Sequence, residues 1–152
     1  MPGKSIRIGG ASGYWGDAAL ATPQLLAAGA LDYLVYDYLA EITMSIMARA
    51  RAADPRKGYA TDFVSAAMAP HLDAIAGAGV KVLANAGGVN PAACAEALRV
   101  AINERGLPLR VAVVTGDDLA ARAAEFTGQR EMFSGEAFPP LEAIASVNAY
   151  LG

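Results

Sequence analysis

Short β-branched runs that stop at glycine or a polar loop, each followed by an alanine- and leucine-rich stretch, recur along this chain. Ile6 to Gly10 leads to a helical stretch over Ala18 to Ala28, and Leu31 to Tyr36 leads to a second over Glu41 to Ala53. Thr61 opens a third helical segment reaching Ala76, with a kink expected at Pro70, because proline removes an amide donor and collides with the preceding turn. Val80 to Ala84 reads as a third strand before a helix over Pro91 to Arg105, capped by Asn90 and stopped by Gly106. Leu109 to Val114 reads as a fourth strand, Leu119 to Phe126 as a short helix and Ala145 to Tyr150 as a fifth strand.

Strands that alternate with helices imply parallel βαβ units, since parallel neighbours need a crossover connection. The expectation is a single α/β domain over residues 1–152, a three-layer sandwich around a mainly parallel, Rossmann-like sheet. Part of a (β/α) barrel would give a similar string of elements, and the open sheet is preferred. Thr127 to Pro140 has the least periodicity and reads as an excursion over a site or a partner surface.

Composition excludes several function classes. The chain is 55% hydrophobic and 18% charged, which suits a packed core, and its formal net charge of −3 without a basic run argues against nucleic acid. Charged residues at 32, 37 and 41 interrupt the apolar stretches before a membrane span could accumulate. A lone Cys94 and an N-terminus without a signal-like segment give a cytoplasmic expectation.

In open parallel sheets, ligands bind beyond the carboxyl ends of the strands. The loops expected there hold Gly9 to Asp17, Asp37 and Tyr38, Asn85 to Asn90, and Thr115 to Asp118, whereas the loops at the other end look like plain helix stops. In the first loop Ser12, Tyr14, Trp15 and Asp17 offer hydrogen bonds and stacking surface between glycines; the competing reading makes Trp15 a core plug and Asp17 a helix cap. The loop fits neither the dinucleotide fingerprint nor a phosphate-binding loop, so no motif specifies a cofactor. Gly87 and Gly88 beside a helix N-terminus suggest an anion site with outward amides, against simple capping by Asn90. One of Asp117 and Asp118 is expected to cap a helix and the other to face the rim.

Asp17, Asp37, Glu41, Asp117 and Asp118 could bring several carboxylates to one rim, suited to acid/base work, although no ligand spacing enforces a metal. Asp37 and Asp117 are the catalytic candidates. Ser12, Trp15, Asp17, Asn85, Gly87, Gly88, Asn90 and Asp118 are the candidates for binding substrate. His71 reads as a helix-surface residue and Cys94 as sheet packing. Met44, Ile46 and Met47 read as core.

The segments GGASGYWGD, LVYDYLAEITMS, NAGGVNP and VVTGDDL, in this order, resemble the N-terminal part of the acyclic terpene utilisation AtuA family. The resemblance runs over most of the chain and implies a setting in the breakdown of acyclic terpenes or branched acids through acyl-CoA intermediates. The residues it carries over, as motif matches only, are Ser12, Trp15, Asp17, Asp37, Glu41, Asn85, Gly87, Gly88, Asn90, Asp117 and Asp118. Family proteins are longer, so the chain reads as an N-terminal portion, with a second subunit or another copy completing its site. The expected activity is a lyase or hydratase acting on a small carboxylate or acyl-CoA. The rival is a noncatalytic binding or assembly subunit, and a redox Rossmann domain is disfavoured by the failed glycine fingerprint.

Overall fold

The computed structural model describes residues 5–149. These fall into two compact units, one ending at Val113 and the other starting at Val114.

The larger unit is built on three parallel strands in the order β1 (Ile8–Gly10), β2 (Tyr33–Tyr36), β3 (Lys81–Ala84). Gly9, Leu34 and Val82 share a register row, so the alternation of a strand puts them on one face with Tyr36. Helix α1 (Ala18–Ala28) approaches this face, with Leu25 beside Gly9. Phe63 also reaches it, meeting the Tyr36 ring edge-on at 5.3 Å between centroids. Leu34 and Tyr36 are fully buried. The opposite face leaves Ile8, Val35 and Leu83 exposed.

Thr22 is the one buried polar residue among those described, and its hydroxyl explains how it is tolerated. It back-bonds to the Ala18 carbonyl at 2.7 Å and shares a 2.8 Å hydrogen bond with the Tyr36 hydroxyl, so neither group is orphaned inside. That contact ties α1 to the middle strand.

Helix α2 spans Glu41–Ala53, as its sequence pattern implies. Ala40 has extended backbone, and the Thr43 hydroxyl reaches back to accept from its amide at 2.6 Å, which satisfies one end group of the helix. Met44 and Met47 are buried but Ile46 is 46% exposed, which corrects its expected place in the core: 46 lies off the face that 44, 47 and 48 share.

The single kinked helix expected from Thr61 to Ala76 is instead three pieces. A π-helical turn (Phe63–Met68) runs into a 3₁₀ turn (Ala69–His71), and α3 follows over Leu72–Ala78. Pro70 has no amide to give to the turn before it, and the widened turn gives its ring room. Helix α4 spans Pro91–Glu104, with Asn90 as its cap, Pro91 at its first position and Gly106 beyond its end at φ 63°.

Leu109 to Val114 is not a strand. Leu109 and Val111 pack on the core, yet no neighbouring strand pairs with this segment among the described residues, and the Val111 carbonyl takes its hydrogen bond from the Arg99 guanidinium at 3.2 Å. Apolar alternation was present without a ladder partner.

In the smaller unit, the segment expected to be a helix is a 3₁₀ turn (Ala120–Phe126), started by the Asp118 carboxylate accepting from the Ala120 amide at 3.0 Å. The expected fifth strand reduces to one antiparallel bridge between Asp118 and Asn148; Tyr150 lies outside the described residues. Gln129 to Phe138 folds back on itself through a bridge between Arg130 and Ala137, with the Glu131 carboxylate accepting from the Phe133 and Ser134 amides.

Gly88 has φ 51°, and a Cβ there would stand 2.8 Å from the Gly58 carbonyl oxygen and collide with the Met47 sulfur. Gly79, at φ 64°, has open space around it. Gly88→Ala should therefore cost roughly 2 to 5 kcal/mol, adding overpacking to the left-handed penalty, and Gly79→Ala only about 1 to 2 kcal/mol. Urea unfolding of the two variants checks this, and equal losses would contradict it.

Candidate functional site

The loops that leave β1, β2 and β3 meet through a hydrogen-bonded set. The Ser12 hydroxyl accepts from the Asp37 amide at 2.7 Å and donates to the Asp37 carbonyl at 3.0 Å. Asn85 uses both ends of its amide: its oxygen accepts from the Tyr38 amide at 2.7 Å and its nitrogen donates to Asp37 Oδ1 at 2.6 Å. Three consecutive loops thus converge on one exposed carboxylate. Parallel strands put their carboxyl ends on the same side, so these residues, distant in sequence, become neighbours.

A deeper layer lies behind this set. Trp15 Nε1 donates to Asp62 Oδ1 at 2.6 Å. Asp17 does not cap α1 with its side chain; its Oδ2 instead accepts from the Gly13 and Tyr14 amides at 2.6 and 3.2 Å, folding the loop around itself. Tyr38 is 3% exposed, with its ring edge-on to Phe63 at 5.8 Å. Burial drives the Tyr38 phenol above its ordinary pKa, and the negative charges of Asp62 and Asp17 push the same way. Asp17 Oδ1 is buried without a hydrogen-bond partner, and the buried Tyr38 hydroxyl has the Asp62 carboxylate as its polar neighbour.

The loop from Asn85 to Asn90 is not the open amide cradle that its glycines suggest. The amides of Gly88, Val89 and Asn90 donate to Asn85, Gly58 and Gly87 carbonyls, and the Ala93 amide goes to Asn90 Oδ1. The Asn90 side chain also donates to the carbonyls of Pro55 and Lys57 at 2.9 and 2.8 Å, so it clamps the preceding turn while capping α4. A Cβ on Gly87 would press on Pro91, and Gly88 faces Met47 and Gly58. These glycines serve close packing.

Asp117 and Asp118 belong to the smaller unit, where Asp117 Oδ2 accepts from Asn148 Nδ2 at 3.4 Å. Among the described residues, no three His, Cys, Asp or Glu side chains gather closely enough to hold a metal ion. Glu41 is an exposed residue in the first turn of α2.

Asp62 and Tyr38 were not singled out as site residues by sequence reasoning. Asp62 follows Thr61, the residue expected to open the third helical segment, and Tyr38 appears only with Asp37 in the loop after the second strand; only the fold brings either to Trp15 and Asp17.

A parallel α/β unit with a polar carboxylate-centred rim is a common setting for small-molecule sites. The chain belongs to the acyclic terpene utilisation protein AtuA family, whose model matches residues 6–152. No curated protein and no solved structure matches it. No helix among the described residues is long and apolar enough to cross a membrane.

Asn85→Ala should leave the Tyr38 amide unpaired and release Asp37, destabilising the chain by about 1 to 3 kcal/mol; a variant that unfolds in urea like the parent would contradict this. Cys94 is buried, and burial lifts its thiol to about 11, so at pH 8 it is neutral. A disulfide reagent such as DTNB should label native Cys94 slowly at pH 8 and rapidly in urea, and rapid native labelling would show the thiol to be open.

Proposed function

We propose that the rim around Asp37 is the small-molecule site of a catabolic enzyme, a lyase or hydratase acting on a small carboxylate or acyl-CoA in acyclic terpene or branched-acid breakdown. Family membership supplies the metabolic setting. The observation that carries the chemistry is the Ser12–Asp37–Asn85 set. Ser12 fixes the backbone of Asp37 and Asn85 fixes one carboxylate oxygen, so an exposed carboxylate is held in one orientation, as a general base must be.

In this reading Asp37 takes the proton next to the reacting carbon. Asp117, held by Asn148, is a separate acid/base candidate within the smaller unit. Substrate contact at this rim falls to Ser12, Trp15, Asp17 and Asn85, while Asp118 is a binding candidate of the smaller unit by itself. Gly87, Gly88 and Asn90 act by building the loop that carries Asn85. The exposed sheet face at Ile8, Val35 and Leu83 supports a three-layer, Rossmann-like arrangement in which the layer over that face comes from another copy or subunit.

The alternative, a noncatalytic binding or assembly subunit, is separated by one experiment. Incubation with short branched acyl-CoA esters and their α,β-unsaturated counterparts should give turnover, and Asp37→Asn should lower kcat by about 100-fold or more while the melting temperature holds. Binding without turnover by the parent chain favours the noncatalytic reading, and unchanged kcat in the variant removes Asp37 from the chemistry.

A further inference from the structure

The register of the sheet carries on past its strands. The Ala11 amide donates to the Val35 carbonyl and the Asn85 amide to the Tyr36 carbonyl, so the ladder continues. Counting on by two from the row of Gly10, Val35 and Leu83 reaches Ser12, Asp37 and Asn85, and counting back by two reaches Ile8, Tyr33 and Lys81. Residues two apart share a face, so the open face of the sheet is a graded surface. Lys81 marks its amino end, with its ammonium 5.5 Å over the Tyr33 ring; Val35 and Leu83 form its apolar middle, and the Asp37 carboxylate its carboxyl end. Crossovers of one hand between strands taken in order fall on a single face, which leaves this one open.

Helix α2 carries a second uncovered apolar surface. Ile42 is 74% and Ile46 46% exposed, one turn apart, and Arg49 returns to the same side of the helix. Glu41 stands beside this stripe at the helix start. Neither Glu41 nor Arg49 is in an ion pair among the described residues.

The two surfaces match in order and in length. Along the strands the sheet runs from cation through apolar residues to anion, and α2 runs from anion through apolar residues to cation. Four residues of strand from the Lys81 row to the Asp37 row cover about 13 Å. Eight residues of helix from Glu41 to Arg49 cover about 12 Å. The rim also lacks a counter-charge: Ser12, Trp15, Asp17, Asp37 and Asn85 include no cation, although an anionic substrate has to settle beside Asp37. We propose that α2 of a second copy lies on this open face, with its Ile42 and Ile46 over Val35 and Leu83 and its Glu41 at Lys81, and that its Arg49 supplies the missing cation at Asp37. Reciprocal docking makes a two-fold pair in which each copy completes the other's rim. The role of Arg49 rests on the reading of the rim as a small-acid site; the docking of α2 does not.

Sedimentation velocity of the full chain at micromolar concentration should show a dimer. Leu83→Glu and Ile46→Glu alter exposed side chains, so each should keep the circular dichroism of the parent and raise the dimer dissociation constant about tenfold or more. Lys81→Glu should weaken the dimer, and adding Glu41→Lys to it should restore association. A monomeric parent overturns the proposal, as does a dimer that either glutamate variant leaves intact. Loss in Leu83→Glu alone shows another occupant on the face and overturns α2, and a charge swap without recovery overturns the pairing of Glu41 with Lys81. Calorimetric titration with butanoate then tests the rim: Arg49→Gln, at concentrations where it remains dimeric, should bind butanoate about tenfold more weakly than the parent. Equal affinity removes Arg49 from the rim while the docking stands. No binding by a dimeric parent overturns the small-acid reading and the role of Arg49 together, and leaves α2 on the sheet.

Discussion

Parallel pairing is the constraint on which the rest of this molecule depends. Two parallel strands cannot be joined by a tight turn, so each of β1 and β2 is followed by a crossover before the next strand begins. The crossovers supply the helices, and the helices supply the apolar cover for Leu34 and Tyr36. Parallelism also sends every strand the same way, so the residues just past Gly10, Tyr36 and Ala84 meet without any local sequence relationship. The interlocked Ser12, Asp37 and Asn85 side chains follow from that geometry.

The polar interior is handled in two different ways a few residues apart. Tyr36 and Tyr38 both point their rings at Phe63. The Tyr36 hydroxyl is matched by Thr22, so the pair works as a structural pin between α1 and the sheet. The Tyr38 hydroxyl instead sits beside the Asp62 carboxylate, which already accepts from Trp15. Burial pushes both phenols above their ordinary pKa, but only for Tyr36 does a hydrogen bond from Thr22 pull in the other direction. Natural interiors tolerate few unmatched polar groups, each costing about 1 to 3 kcal/mol. The contrast separates the part of the core that holds the fold from the part facing the rim.

Much of this was legible in the sequence. The bounds of α1 and α2 follow from glycine, proline and polar punctuation around alanine-rich stretches, and α4 ends within one residue of its expected stop. The three strands were legible because their β-branched and aromatic runs are short and cleanly ended. Pairing was not: Leu109 to Val114 has the composition of a strand, but a strand also needs a neighbour to share its amides, which no local pattern reports. The broken helix around Pro70 was half legible, since proline announces a disruption without saying how the chain accommodates it. At the rim, loop polarity marked Ser12, Asp37 and Asn85, the residues that the fold links by hydrogen bonds. At Gly88 the sequence could not choose, because a glycine that admits a ligand and one that admits a neighbouring carbonyl are identical in sequence.

Trp15 is the only tryptophan in the chain, and its indole N–H is tied to the Asp62 carboxylate. All indole fluorescence therefore originates beside the buried layer of the rim, next to a negative charge that shapes its emission. Spectroscopically the chain carries its own gauge at that spot. A disturbance confined to the Gly9 to Asp17 loop would alter the emission while far-ultraviolet circular dichroism held steady, and loss of the whole fold would move both signals together.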